Sequence, residues 1–159
     1  MSKFSEYQAV IPSPFATLGL RLENQSISGL DFIFDDISQP IFHSETAESI
    51  AEQLGFYLDN SRYRFNLNIS PVGTSFQKSV WQQMQAIPSG SCLTYGEVAE
   101  SLQSGPRAVG NACRKNPIPL IIPCHRIVAK NGLGGFAGAT TGQLAEVKRW
   151  LLKHESVIL

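Results

Sequence analysis

Cysteine is scarce in this chain, and its few copies are badly spaced for a structural role. Cys92, Cys113 and Cys124 are odd in number and lack CxxC spacing, which argues against a disulfide framework or a cysteine-rich zinc site. No apolar run approaches the roughly 20 residues a membrane span needs. The start, Met1-Ser2-Lys3-Phe4-Ser5-Glu6, has no apolar core of signal-peptide length. The expectation is a cytoplasmic protein with no membrane partner. Histidine is equally rare, with three copies and none before His43. Charged residues make up only 16% of the 159 residues, and the formal net charge is zero.

That zero conceals a polarity. Residues 1–73 carry four Lys/Arg against nine acids, whereas residues 74–159 carry nine against four. Either the second half faces a polyanion or the two halves attract each other. The sign change coincides with Ser70-Pro71-Val72-Gly73, read as a boundary between a domain at 1–73 and one at 74–159.

The first domain reads as α+β. Gln8–Ile11, Thr17–Leu22 and Ile27–Phe34 are apolar segments separated by Pro12-Ser13-Pro14 and Asn24-Gln25-Ser26, the punctuation of a β-meander. Ser44–Leu58 has a helical stripe of Ala47, Ile50, Ala51, Leu54 and Tyr57. Arg62–Ile69 alternates polar with apolar residues and predicts a half-buried strand. His43 stands alone, with no catalytic constellation around it.

The second domain is mainly helical. Thr74 or Ser75 caps a helix with Phe76, Val80, Met84 and Ile87 on one face, stopped by Pro88-Ser89-Gly90. Thr94 followed by Glu97 is a capping-box pair opening a helix that runs toward Ser104-Gly105. Pro106 suits a first helical position, and Arg107–Lys115 continues as a second helix. The pair matches a helix-turn-helix. Its second helix is slender, with Ala108, Gly110 and Ala112 beside the cations Arg107, Arg114 and Lys115. Long base-reading side chains are almost missing, which suits close approach to a minor groove better than major-groove readout. Packing against a neighbouring helix is the alternative.

Cys124 lies in Pro123-Cys124-His125-Arg126, entered through Ile118-Pro119-Leu120-Ile121-Ile122. A cysteine beside a histidine and an arginine suggests an activated thiolate, since positive charge or an adjacent base favours the reactive form. A buried structural thiol is the competing reading. In an extended segment adjacent side chains point apart, so direct Cys124–His125 contact does not follow from the sequence. Glu155 falls on the apolar stripe of the last helix, about 20° from Leu144 and 40° from Leu151 at 100° per residue. A carboxylate there needs a partner.

These elements closely resemble the O6-alkylguanine-DNA alkyltransferases. The match runs from Thr94-Tyr95-Gly96 through Arg107-Ala108-Val109-Gly110, Asn116-Pro117 and Pro-Cys-His-Arg to Lys148-Arg149-Trp150-Leu151-Leu152-Lys153-His154-Glu155. The resemblance implies an RNase H-like first domain and a winged-helix-like second one. The implied activity is irreversible, cofactor-free transfer of an alkyl group from O6-alkylguanine in DNA to Cys124, with O4-alkylthymine a further candidate. It also implies a water between Cys124 and His125, Glu155 orienting His125, Asn116 as a hinge, and Tyr95 acting on the extruded nucleotide and departing guanine. Arg107 would fill the gap left in the duplex, with Ala108, Gly110, Arg114 and Arg126 also on the DNA side. Cys113, Pro119, Phe136, Ala137 and Gly138 would surround the base, and the small residues of 131–142 suggest room for alkyl groups larger than methyl. The partner is double-stranded DNA bound through its minor groove. A monomer is expected, with cooperative assembly on DNA left open. No N-terminal zinc site is expected. A non-repairing alkyltransferase-like module, a winged-helix regulator and a Cys-His hydrolase are the alternatives.

Overall fold

Alternation and turn chemistry in the first half produce an antiparallel sheet, seen in a computed structural model that describes residues 4–158. Strands β1 (Ala9–Ile11), β2 (Thr17–Glu23), β3 (Ser26–Ile33) and β4 (Ile41–Phe42) lie in the order β3-β2-β1-β4. Each neighbouring pair is antiparallel. Asn24 and Gln25 turn the chain between β2 and β3 with positive φ at both positions, the geometry of a tight hairpin. Helix α1 (Glu45–Asp59) starts one residue after its cap, Ser44, whose hydroxyl accepts from the Ala47 amide. It buries Ala47, Ile50, Ala51, Leu54 and Tyr57 alongside sheet residues Val10, Leu18, Leu20 and Leu30.

Residues 62–69 depart from the expected strand. Their alternation is real, with Tyr63, Phe65, Leu67 and Ile69 half-buried and the residues between them exposed. A ladder nevertheless forms only at Ile69, which bridges Ile27. Gln53 on α1 takes both backbone groups of Asn66, donating from Nε2 to its carbonyl (3.1 Å) and accepting its N–H (2.9 Å). A side chain from the helix thus occupies the hydrogen bonds that a neighbouring strand would have used.

The contacts of the chain divide after Val72. Beyond it, α2 (Ser75–Gln85) opens with a full capping box between Thr74 and Gln77. A two-residue strand, β5 (Leu93–Thr94), leads into α3 (Tyr95–Ser101), where Thr94 and Glu97 form a second box. The helix ends at Leu102, earlier than Ser104-Gly105, because Gln103 takes a left-handed conformation with φ 54°. Helix α4 (Pro106–Arg114) follows with Pro106 in its first turn. The Trp81 indole N–H donates to the Ala112 carbonyl at 2.9 Å and ties α4 to α2.

A single 3-10 turn, Cys124–Arg126, passes into β6 (Ile127–Val128), which pairs in parallel with β5. Helix α5 (Gln143–His154) closes the unit, with Ala145, Val147, Lys148, Leu151 and Leu152 buried. The whole is a mixed α/β fold with five α-helices among the described residues. No helix there is long and apolar enough to cross a membrane.

Candidate active site

The approach to Cys124 is shaped by one asparagine. Asn116 donates from Nδ2 to the Ile122 carbonyl (2.8 Å) and accepts from the Ile118 amide (2.9 Å). Its side chain staples a tight loop in which Leu120 has φ 77°, a left-handed conformation costly for a branched residue. The apolar side chains Ile118, Leu120 and Ile122 are buried around it. Together they hold the following residues in a 3-10 turn, rather than the extended run expected, so Cys124 and His125 share one turn.

Cys124 is buried, and its thiol pKa is pushed up to about 11. Desolvation is the largest cause. A hydrogen bond with Asn116 and the charge of Lys148 act in the opposite direction without overcoming it. The expectation of a resident thiolate therefore yields to burial: a free thiol dominates at neutral pH and needs a base.

His125 supplies an acceptor. Its side chain and that of Glu155 are both fully buried, with Nε2 2.8 Å from Oε2. A carboxylate only accepts, so Nε2 carries the proton and the neutral ring leaves Nδ1 bare. Nδ1 is buried with no hydrogen-bond partner among the described residues. Burial lowers the histidine pKa, with Glu155 pulling the other way and Arg126 and Lys148 reinforcing the fall. A neutral imidazole with an unoccupied lone pair is what a general base requires.

Above the thiol lies a pocket of about 440 Å³. Tyr95, Arg107, Gly110, Cys113, Arg114, Cys124, Phe136, Ala137 and Gly138 all line it, joined by Pro106, Gly135 and Thr140. Residues from both helices of the helix-turn-helix thus meet the acceptor segment and the loop before α5. Gly134 has φ 74°, and a Cβ there would stand 2.9 Å from the Tyr95 ring and hydroxyl. The loop backbone therefore lies directly against Tyr95, which donates a long hydrogen bond (3.4 Å) to the Gly135 carbonyl. Burial and the nearby Cys113 raise the Tyr95 pKa to about 12, keeping the phenol protonated. Cys113 is pushed up to about 12 for the same first reason.

Not every expected residue takes its expected place. Pro119 is buried but outside the pocket lining, because the Asn116-stapled loop turns it inward. Ala108 on α4, expected on the DNA side rather than in the pocket, is half-buried. Arg126, expected on the DNA side, is committed inside the protein: Nε and Nη2 reach the two Glu155 oxygens at 2.9 Å each, and Nη1 donates to the Ile87 carbonyl at 2.7 Å.

The sequence reading missed Lys148. It is 0% exposed, and its Nζ donates to the carbonyls of Ile127 (2.7 Å) and Gly135 (2.9 Å). Burial lowers its pKa to about 8. The signal was available, since Lys148 sits four residues after Leu144 and three before Leu151, on the same stripe that singles out Glu155. No cluster of three or more His, Cys, Asp or Glu suited to a metal ion occurs among the described residues.

Residues 75–157 match the model of the 6-O-methylguanine DNA methyltransferase DNA-binding domain. The chain belongs to this family. The methylated-DNA–protein-cysteine methyltransferase of Methanosarcina mazei is 34% identical over 94% of this chain and 96% of its own length. The constitutive enzyme of that name from Bacillus subtilis is 38% identical over 72% of this chain and 70% of its own. The family likeness extends to structure. Mycobacterium tuberculosis OGT in complex with DNA superposes with a TM-score of 0.76 at 32% identity, covering 92% of this chain and 91% of that one. An O6-methylguanine DNA methyltransferase from Methanococcus jannaschii gives 0.67 at 28% identity over 94% of each chain.

Proposed function

We propose that this methyltransferase-family chain performs direct-reversal DNA repair, moving the alkyl group of O6-alkylguanine in double-stranded DNA irreversibly onto Cys124. The observation that carries the reading is a buried thiol lining the pocket, one residue before a neutral histidine whose Nδ1 is unpaired and whose Nε2 is held by Glu155. The Cys124 proton passes through a water to His125 Nδ1. The sulfur then attacks the alkyl carbon, an S–C bond forms and the C–O6 bond breaks. The departing electron pair goes to guanine, where the Tyr95 hydroxyl donates a hydrogen bond or proton. The product is a thioether, which no group in the site can cleave, so each chain acts once without a cofactor.

A base inside a duplex is out of reach of a buried thiol, so the target must be flipped into the pocket. Arg107, exposed at the pocket edge on α4, fills the space left behind, and Gly110 with Arg114 faces the DNA from the same helix. Cys113, Phe136, Ala137 and Gly138 bound the base, and Asn116 supports the acceptor loop. The slender α4 suits the minor groove. In this reading residues 74–159 form a winged-helix-like DNA-binding and acceptor domain, residues 1–73 an RNase H-like support domain, and the protein works as a cytoplasmic monomer. A non-repairing relative of this fold would have no use for the thiol, so Cys124 favours repair.

Incubation with O6-methylguanine duplex, followed by intact mass spectrometry and peptide mapping, tests the reading. A gain of one methyl at Cys124, absent in Cys124→Ser, is expected. More than one alkyl group per chain, or released product with multiple turnover, overturns it.

A further inference from the structure

Arg126 has five N–H donors, and its three nitrogens all have protein partners. Its side chain is 13% exposed. Nε and Nη2 form a two-pronged bond to the Glu155 carboxylate, the geometry in which guanidinium binds carboxylate best. Nη1 donates to the Ile87 carbonyl just past the C-terminal cap of α2. Glu155 is itself the cap residue of α5, its amide bonded to the Leu151 carbonyl. One side chain therefore ties the acceptor turn to the ends of two helices, and little of it remains to meet a phosphate.

The charge arithmetic gives this geometry a chemical consequence. The ionised groups facing His125 are Glu155 and Lys148 from α5 and Arg126 from its own turn, and the Cys92 thiol also senses this cluster. A lone carboxylate 2.8 Å from a buried imidazole draws a proton onto the ring. The resulting imidazolium would carry N–H at Nδ1 and could accept nothing. With the guanidinium across both oxygens, the carboxylate still orients Nε2–H, but its charge is balanced.

We propose that Arg126 is a positioning residue for alkyl transfer and not a DNA contact: its fork fixes and charge-balances Glu155, so that His125 is held in the one neutral tautomer able to take the Cys124 proton. The proposal rests on the acceptor role of Cys124 given above, and extends it by assigning the residue that keeps Glu155 from undoing the burial that holds the base neutral.

The test uses the full chain as wild type, Arg126→Gln and Arg126→Lys, with free O6-benzylguanine as alkyl donor and undamaged duplex as a separate DNA probe. Three quantities are read: the His125 imidazole pKa by NMR of labelled histidine, the pH profile of Cys124 benzylation by intact mass, and duplex affinity. In Arg126→Gln the His125 titration rises by about one pH unit, the size expected when an opposing charge is lost nearby, and the acid limb of the rate profile moves with it. Arg126→Lys keeps the charge without the fork, so its profile stays near wild type while its plateau rate falls. Duplex affinity stays within twofold in both. An unmoved His125 titration in Arg126→Gln overturns the proposal, as does loss of duplex affinity with an unmoved pH profile. Should Arg126→Gln not fold, wild-type rate and profile in Arg126→Lys overturn it. A wild type that takes no methyl at Cys124 from O6-methylguanine duplex refutes the acceptor reading instead, and the His125 titration still decides the fork's effect.

Discussion

Glu155→Gln removes one charge and almost no volume. The carboxylate accepts from His125 Nε2 at 2.8 Å and from Arg126 Nε and Nη2 at 2.9 Å. An amide keeps one acceptor oxygen where the carboxylate has two, and its nitrogen only donates, so it cannot satisfy all three. With its oxygen toward His125, its NH2 group confronts Arg126 Nε–H. With its oxygen toward Arg126 Nε, the NH2 group meets Nε2 and drives the ring to the other tautomer, which places the proton on Nδ1 and removes the base. Arg126 is also left as a largely buried, unbalanced cation. Breaking such a pair costs about 3–5 kcal/mol, or roughly 6–20 °C in melting temperature at about 2–4 °C per kcal/mol for a chain of this size. A positioned base contributes about 10²–10⁴-fold, so benzylation of Cys124 by free O6-benzylguanine at pH 7 slows at least about a hundredfold. Single-turnover labelling below the melting transition measures this. A rate within threefold of wild type refutes the base assignment, and does so most clearly if the melting temperature has fallen, because Glu155 would then be structural only.

Three further outcomes are expected. Arg107→Ala slows repair of duplex DNA by roughly tenfold or more, since a flipped base costs a few kcal/mol to unstack, while its reaction with the free base is unchanged; equal losses on both would contradict a gap-filling role. Gly134→Ala forces a Cβ into left-handed backbone, at about 1–2 kcal/mol, and against the Tyr95 ring, so both stability and the duplex rate fall. Gly132→Ala is the control, with nothing within 4 Å, and similar behaviour of the two variants would deny the Tyr95 contact. For Lys148, the folded pKa of about 8 lies below its ordinary 10.5, so between those values the unfolded chain holds the extra proton and stability contributed by this group rises with pH. Relative to Lys148→Met, wild type therefore gains up to about 3 kcal/mol from pH 8 to 10.5, measured as the difference between two denaturation series; a difference flat in pH would refute the burial of a charged amine.

Much of the helical framework was legible from local chemistry. Ser44, Thr74 and Thr94 cap helices because their side chains accept from the amide three residues on, an interaction encoded within one turn. Glu155 could be flagged because a carboxylate on an apolar stripe demands a partner. The segment 62–69 misled because alternation records which side chains are buried, not which backbone groups are paired, and Gln53 took those groups at Asn66. Arg126 misled for a related reason. Cationic residues beside a reactive thiol look alike in sequence, whether they point at phosphate or at a carboxylate 29 positions away.

By itself, then, the sequence determined which groups this protein has to work with: one Pro-Cys-His-Arg segment, a capped helix-turn-helix, and a terminal helix carrying Glu155. Tertiary structure decided what those groups are. Packing desolvates Cys124 and turns a suspected thiolate into a thiol that must be deprotonated. It brings Glu155 and Arg126 together around His125, and it seats Lys148 between two carbonyls without a carboxylate. Protonation states depend on desolvation and on charges a few ångströms away, and both are properties of the folded neighbourhood rather than of any stretch of chain.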